Sequence, residues 1–367
     1  MELQTIDQPL DIVQVVKRRI PISSGNYPYV CARVKAKRAR LLPKDTYQKL
    51  LMMDVAEITR FIGETEYKKE ITDLGLIYKG VELLEHALNK NLASLYNEIL
   101  GYCEGDLYTM LAAYLRRQDL WNLKTILRGK VYQAPNESIL KTIVPAGAYS
   151  ETYWKTIIQN ASTIDDVIDQ LKKNEFYPLL DGLRKEYVDN PTRSENRLEA
   201  AYYQILLKSI FPSSKPVALF LEYVRREIDV VNLKTLFMTK FENIEPQVIM
   251  SMVITGGMFS EKDVSALVNT ADFQSFLQLL KNYSWYDFIK DKSQTIQQTN
   301  TLGHVIRALE KGIMIQETKK AYMYPLSILP IFDYLTRKRI EVENLRIIAY
   351  GKHNQLPDEL IKELVVM

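Results

Sequence analysis

The sequence predicts an all-α protein built from three similar helical bundles, and three observations carry that expectation. Glycine and proline together are 28 of 367 residues, against roughly 12% in average usage, so breakers are too sparse for a turn-rich barrel or sandwich. Apolar residues recur at steps of three and four, and no period-two pattern competes with them. The third observation is an internal repeat, sought first because missing it misassigns the whole fold.

Three nine-residue segments fit one pattern without a gap: Arg116-Arg-Gln-Asp-Leu-Trp-Asn-Leu-Lys124, Arg226-Glu-Ile-Asp-Val-Val-Asn-Leu-Lys234 and Lys338-Arg-Ile-Glu-Val-Glu-Asn-Leu-Arg346. Each reads basic-x-x-acid-aliphatic-x-Asn-Leu-basic. The acids Asp119, Asp229 and Glu341 recur at steps of 110 and 112, as do Asn122, Asn232 and Asn344. A second marker, Ile62-Gly-Glu-Thr-Glu-Tyr67, returns as Leu171-Lys-Lys-Asn-Glu-Phe176 and Leu280-Lys-Asn-Tyr-Ser-Trp285, at two steps of 109. A third, Gly147-Ala-Tyr-Ser-Glu151, returns as Gly257-Met-Phe-Ser-Glu261. All three markers agree on one repeat length. The expected organisation is an N-terminal arm over 1–26, repeats over 27–118, 119–228 and 229–340, and closing helices over 341–367. Residues 30–62 look like the element that follows the motif without its first half, and the chain's end supplies the other half. These matched ends predict a closed or funnel-like body with pseudo-threefold symmetry.

The elements follow in order. Asp45, after Pro43, is expected to cap the first clear helix. Leu83, Leu84, Ala87, Leu88, Leu92 and Leu95 line one face of the next long one. Ser150-Glu151 and Ser260-Glu261 are N-cap signals. Leu198, Ala201, Tyr202, Ile205, Leu206 and Ile210 mark a helix in the second repeat, and Val305, Ile306, Leu309 and Ile313 one in the third. Breaks are expected at Gly63, Pro135, Pro178, Pro191, Pro212, Pro246, Gly256-Gly257 and Pro357.

Composition bounds the chemistry. There are 48 Lys and Arg against 45 Asp and Glu, a net charge of +3, so the chain as a whole is no polyanion-binding tail. Cys31 and Cys103 cannot build a disulfide framework or a four-thiolate site. His86, His304 and His353 lack the i, i+4 spacing of a zinc helix. No apolar run reaches the roughly 18 residues of a membrane span, and MELQTIDQPLDIVQ has no signal-peptide core, so a cytoplasmic protein is expected.

The repeated motif reads as structural. A helix ending at the basic residue would meet a helix C-terminus with positive charge, and the acid would then cap the next helix. The asparagine, one turn on, would tie two helices together. No nucleophile–base pair accompanies them, so no catalytic residue, cofactor or metal is expected. Asp165, Asp166 and Asp169 resemble the Mg²⁺-binding run of all-α prenyl-type enzymes. A 109-residue step places Gln274, Ser275 and Gln278 there instead, and Asp287 and Asp291 make a poor second motif. Arg33, Lys37 and Arg40 fall on one helix face, a cationic stripe suited to an acidic partner or to phosphates. They, with Arg116, Arg226 and Lys338, are the candidate partner-binding residues. A helical-repeat scaffold binding RNA or another protein is the alternative, although no recognised nucleic-acid fold accompanies the stripe.

The triplicated acid-x-x-Asn-Leu-basic motif, opened by Tyr27-Pro-Tyr-Val-Cys-Ala-Arg-Val-Lys-Ala-Lys37, then Leu41-Leu42 and Thr65-Glu-Tyr67, resembles the C subunit of archaeal-type (A-type) ATP synthases, a family related to the d subunit of V-type ATPases. The resemblance covers roughly residues 27–367. It implies a funnel-shaped, all-helical and non-catalytic part of the rotor. Such a protein is seated on the cytoplasmic face of the proteolipid ring, receives the stalk made by the D and F subunits, and passes torque between ATP turnover and ion movement. Its implied partners are those proteins, with no nucleic acid and no small-molecule substrate, and with membrane contact only through the ring.

Overall fold

The computed structural model describes residues 25–291 and 302–366; the expected arm over 1–26 lies almost wholly outside them. Among the described residues there are α-helices, one 3-10 helix and no strand, as the sparse breakers require. In order they are α1 (Tyr27–Arg38), α2 (Lys44–Leu50), α3 (Val55–Ile62), α4 (Lys68–Leu74), α5 (Gly80–Tyr102), α6 (Gly105–Val131), α7 (Asn136–Thr142), α8 (Glu151–Asn160) and α9 (Ile164–Gln170). Then come α10 (Tyr177–Asp189), α11 (Pro191–Ser209), α12 (Lys215–Phe241), α13 (Pro246–Met252), α14 (Glu261–Val268) and α15 (Phe273–Leu280). After the 3-10 helix Ser284–Phe288 follow α16 (Gly303–Met323), α17 (Leu329–His353) and α18 (Asp358–Leu364).

Packing divides the chain into two units. One runs to Leu198 and takes in Arg337–Val365; the other is Glu199–Thr336. In the first, α6 buries Leu107, Leu111, Leu123, Ile126 and Leu127 completely. In the second, Leu233 and Phe237 of α12 pack with Ile249, Leu267, Phe276, Ile289 and Val305. Each such side chain stabilises its unit by roughly 1.5–3 kcal/mol.

Local chemistry explains the helix ends. Ser150 accepts the N–H of Tyr153, and Ser260 forms a reciprocal capping box with Asp263. Asp45 does not cap: Pro43 holds that position, because its extended backbone and absent N–H suit a helix start, and Asp45 sits in the first turn of α2. Pro178, Pro191 and Pro246 likewise open helices rather than merely ending them. The three longest described helices, α6, α12 and α17, terminate alike. Gln133, Asn243 and Gln355 adopt φ of 52°, 54° and 55°. The next residue then donates back into the helix, Ala134 to Gly129 O at 2.8 Å, Ile244 to Thr239 O at 2.9 Å and Leu356 to Gly351 O at 2.9 Å. This left-handed stop satisfies the last carbonyls, and a proline follows in each case.

Candidate functional site

The acid–asparagine motif lies in mid-helix, not at a helix junction. Residues 116–124 fall inside α6, 226–234 inside α12 and 338–346 inside α17. The expectation that a helix stops at the basic residue is therefore corrected: nothing in the motif breaks a helix, and the next breakers are Pro135, Pro246 and Pro357. The acids still accept orphan backbone N–H groups, but from a segment well downstream. Asp119 accepts from Ala148 at 2.8 Å and Tyr149 at 3.3 Å. Asp229 accepts from Met258 at 3.0 Å and Phe259 at 3.3 Å. The asparagines clamp the same strip of chain from one turn away. Asn122 donates to Val144 O at 2.8 Å and accepts its N–H at 2.9 Å; Asn232 does the same with Ile254, at 2.8 Å both ways. Each clamp gives a non-helical segment the backbone partners it lacks.

Glu341 makes its bonds at the other end of the chain. Its carboxylate accepts the N–H of Leu42 at 2.6 Å and the hydroxyl of Tyr67 at 2.7 Å, and pairs with Lys338 at 2.9 Å. The last motif is thus completed by residues that lead into α2 and α4.

Glycine is required where the acids approach. A Cβ at Gly147 would lie 2.3 Å from the Asp119 carboxylate, and one at Gly257 would lie 2.1 Å from that of Asp229. The marker segments beginning at Gly147 and Gly257 are therefore the other half of each clamp.

The basic residues of the motif turn inward. Arg116 is 4% exposed, pairs with Glu175 at 2.5 Å and stands 3.9 Å from Asp119. Its guanidinium lies 5.3 Å from the Tyr149 ring centre. Lys338 is 3% exposed, with its ammonium 3.9 Å from the Tyr67 ring centre, and burial depresses its pKa despite Glu341. Arg226 is half-buried between Glu222 at 3.2 Å and Glu317 at 3.3 Å. As partner-binding residues Arg116 and Lys338 are corrected: the motif's cation neutralises carboxylates inside the fold. Burial pushes the Asp119 carboxyl up to about 7, opposed by Arg116 and the two N–H groups. It pushes Asp229 up to about 6.

The cationic stripe is on the surface. Arg33 is exposed and lies 5.1 Å from the Tyr29 ring centre and 4.8 Å from that of Tyr102. Lys37 pairs with Glu98 at 2.7 Å, and Arg40 with Glu66 at 3.3 Å. Arg40 is not on the helix face, because α1 ends at Arg38 and its N–H closes a tight turn on Lys37 O.

Asp165, Asp166 and Asp169 have structural partners. Arg184 bridges Asp165 at 3.1 Å and Asp169 at 2.7 Å, while Asp166 completes the capping box of α9 with Thr163. Residues that sequence reasoning missed include Lys130 and Lys240. Lys130 Nζ donates to Ile158 O at 2.9 Å and Ala161 O at 2.5 Å, and Lys240 Nζ to Thr270 O at 2.7 Å. Their separation by one repeat step was the available signal.

The clamps pair buried carboxylate and amide side chains of the long helices with backbone groups of other segments, and what they do is brace helices. Residues 30–364 match the family model described as ATP synthase (C/AC39) subunit, and the chain belongs to that family. Among its relatives, the A-type ATP synthase C subunit of Methanosarcina acetivorans is 39% identical over 349 residues, 94% of each chain. The C subunit of Archaeoglobus fulgidus is 33% identical over 349 residues, 94% of this chain and 98% of that one. That of Haloferax volcanii is 30% identical over 346 residues, with the same shares covered. The chain is accordingly a structural, non-catalytic subunit of a rotary ATPase. Among the described residues no helix is long and apolar enough to cross a membrane.

Proposed function

We propose that this protein couples the central shaft of the D and F subunits to the membrane-embedded proteolipid ring. In this reading it lies peripherally on the cytoplasmic face and passes torque between ATP synthesis or hydrolysis and ion translocation. The family match over nearly the whole chain carries the proposal. The bracing of the helices supports it, since a part that transmits torque must resist shear. Buried clamps from Asp119, Asp229 and Glu341 tie each long helix to segments remote in sequence.

The recurring markers support three repeats, over 27–118, 119–228 and 229–340, arranged as a pseudo-threefold funnel closed by 341–367. Several similar footholds would then face a ring of different symmetry. The exposed Arg33 and Arg40, with Lys37, form the cationic edge offered to an acidic partner surface, where steering weakens with salt.

A pull-down tests the proposal: tagged protein against detergent-solubilised proteolipid ring, with and without the D–F stalk. Capture of both in one bridged complex is expected. Capture of neither at low salt overturns the reading. Reversing Arg33, Lys37 and Arg40 to glutamate is expected to slow association with one partner at low salt, and unchanged assembly removes that edge from the interface.

A further inference from the structure

We infer that the Glu199–Thr336 unit carries an anchor for an anionic lipid surface: the α11–α12 turn, and the end of α16 with the turn after it, present Phe211, Tyr322, Met323 and Leu326, rimmed by lysines, to the bilayer headgroup region. The inference goes beyond the coupling role, does not depend on it, and departs from the expectation that membrane contact runs only through the ring.

The two turns lie side by side. Lys215 Nζ, at the start of α12, stands 5.3 Å from the ring centre of Tyr324, in the turn before α17. A few residues further on, Tyr223 stacks on Phe332 with ring centres 4.5 Å apart, so the two helices leave this end of the unit together. Four large apolar side chains are exposed together here: Phe211 is 79% exposed, Tyr322 71%, Met323 64% and Leu326 59%. Single exposed apolar residues are ordinary, but four on adjoining turn tips are not.

The repeat supplies a comparison. A step of 110 relates these tips to the α5–α6 turn, which carries Tyr102, Cys103 and Glu104. That turn is covered by the chain itself. Asn26 Nδ2 donates to Tyr102 O at 2.8 Å, Asn26 Oδ1 accepts the N–H of Glu104 at 3.1 Å, and Tyr27 donates to Asp106 at 2.9 Å. The α11–α12 and α16–α17 turns carry exposed Phe211 and Leu326, whereas the α5–α6 turn carries Cys103 and Glu104.

Charge chooses the occupant. No acidic residue occurs from 200 to 221 or from 318 to 332, while Lys208, Lys215 and Lys319 are exposed there. Aromatic and aliphatic tips with long basic side chains around them match an interface of acyl chains below and phosphates above. Protruding tips also suit a fluid surface better than a protein, which demands a complementary shape over about 1,000 Å².

Vesicle flotation tests the inference with the full chain. It is expected to float with phosphatidylglycerol vesicles at low salt, to float poorly with neutral phosphatidylcholine, and to be released as salt rises. The Phe211→Ser, Leu326→Ser double variant is expected to partition roughly tenfold less, with an unchanged melting curve because both residues are exposed. Lys208→Gln with Lys215→Gln is expected to lose the preference for anionic vesicles. A control, Met52→Ser with Leu76→Ser, changes residues 86% and 94% exposed in the other unit and is expected to float like the parent. Absence of flotation with anionic vesicles overturns the inference. So does equal flotation of the Phe211/Leu326 variant, or capture of the patch by ring protein without any vesicle binding.

Discussion

Asp119, Asp229 and Glu341 occupy corresponding places and meet the same problem, a carboxylate inside the fold, with different cation support. Glu341 has Lys338 at 2.9 Å, Asp119 has Arg116 at 3.9 Å, and the Arg226 beside Asp229 is drawn off to Glu222 and Glu317. Asp229 Oδ2 is buried without a hydrogen-bond partner among the described residues. Its pKa is pushed from 3.8 up to about 6, chiefly by desolvation. A raised carboxyl pKa means the folded state keeps a proton that the unfolded chain releases. That contribution to stability is fully present below about pH 4 and is lost as pH rises through the folded value. Between pH 4 and 7 this carboxyl is expected to lower unfolding stability by up to about 1.4 kcal/mol per pH unit. Asp229→Asn is expected to flatten that slope, and urea titrations across the window check it. Glycine at 147 has an equally local reason. Gly147→Ala, which drives a Cβ against Asp119, is expected to cost about 1–3 kcal/mol. Gly101→Ala, in α5 with open space around it, is expected to gain about 0.5–1 kcal/mol. Similar losses at both positions would refute the close-approach argument.

At the scale of elements, α6, α12 and α17 are set less by their own propensity than by how they stop. Each ends on a non-glycine residue in the left-handed region, Gln133, Asn243 or Gln355. That conformation strains an L side chain by roughly 1 kcal/mol, least for asparagine. Replacing Gln133 or Gln355 with glycine is therefore expected to stabilise the chain by about 0.5–1 kcal/mol, and Asn243→Gly by less. Thermal melts of the three single variants check the order. The stop also sets the angle of the next short helix. Ile139 packs on Gly129 and Ile361 on Gly351, where an added Cβ would come within 2.6 and 2.7 Å. Sequence made Pro135, Pro246 and Pro357 visible as breaks. It did not show that the left-handed residue shortly before each proline closes the helix.

At the scale of the molecule, Glu341 joins residues 299 and 274 positions away. Leu42 and Tyr67, which lead into α2 and α4, therefore reach this acceptor only when α17 is in place. Glu341→Ala removes the acceptor shared by the buried Lys338 ammonium, the buried Tyr67 hydroxyl and the half-buried Leu42 N–H, and is expected to cost about 3–5 kcal/mol. Hydrogen exchange checks where the loss falls: amides from 42 to 67 are expected to speed up with those around 341, while α12 to α14 keep their protection. Uniform protection across 42–67 would show that the first helices are held without the last motif.

Much was legible in order and little in depth. The all-helical class, the repeat period and the Ser150 and Ser260 caps were fixed by local chemistry: breaker scarcity, patterned apolar residues and side chains that reach their own backbone. The residues of the clamp were visible as a pattern, and the partners Ala148, Met258 and Leu42 were not, because a sequence does not show which distant N–H lacks an acceptor. For the same reason Arg116 and Lys338 read as surface charges. Glu175 meets Arg116 only once the helices pack, and although Glu341 lies one turn from Lys338 on the same helix, only packing removes water from that pair. What the sequence by itself determined was the repeat and its helices. Only the tertiary structure decided which charges face inward, since burial depends on neighbours brought together from far along the chain.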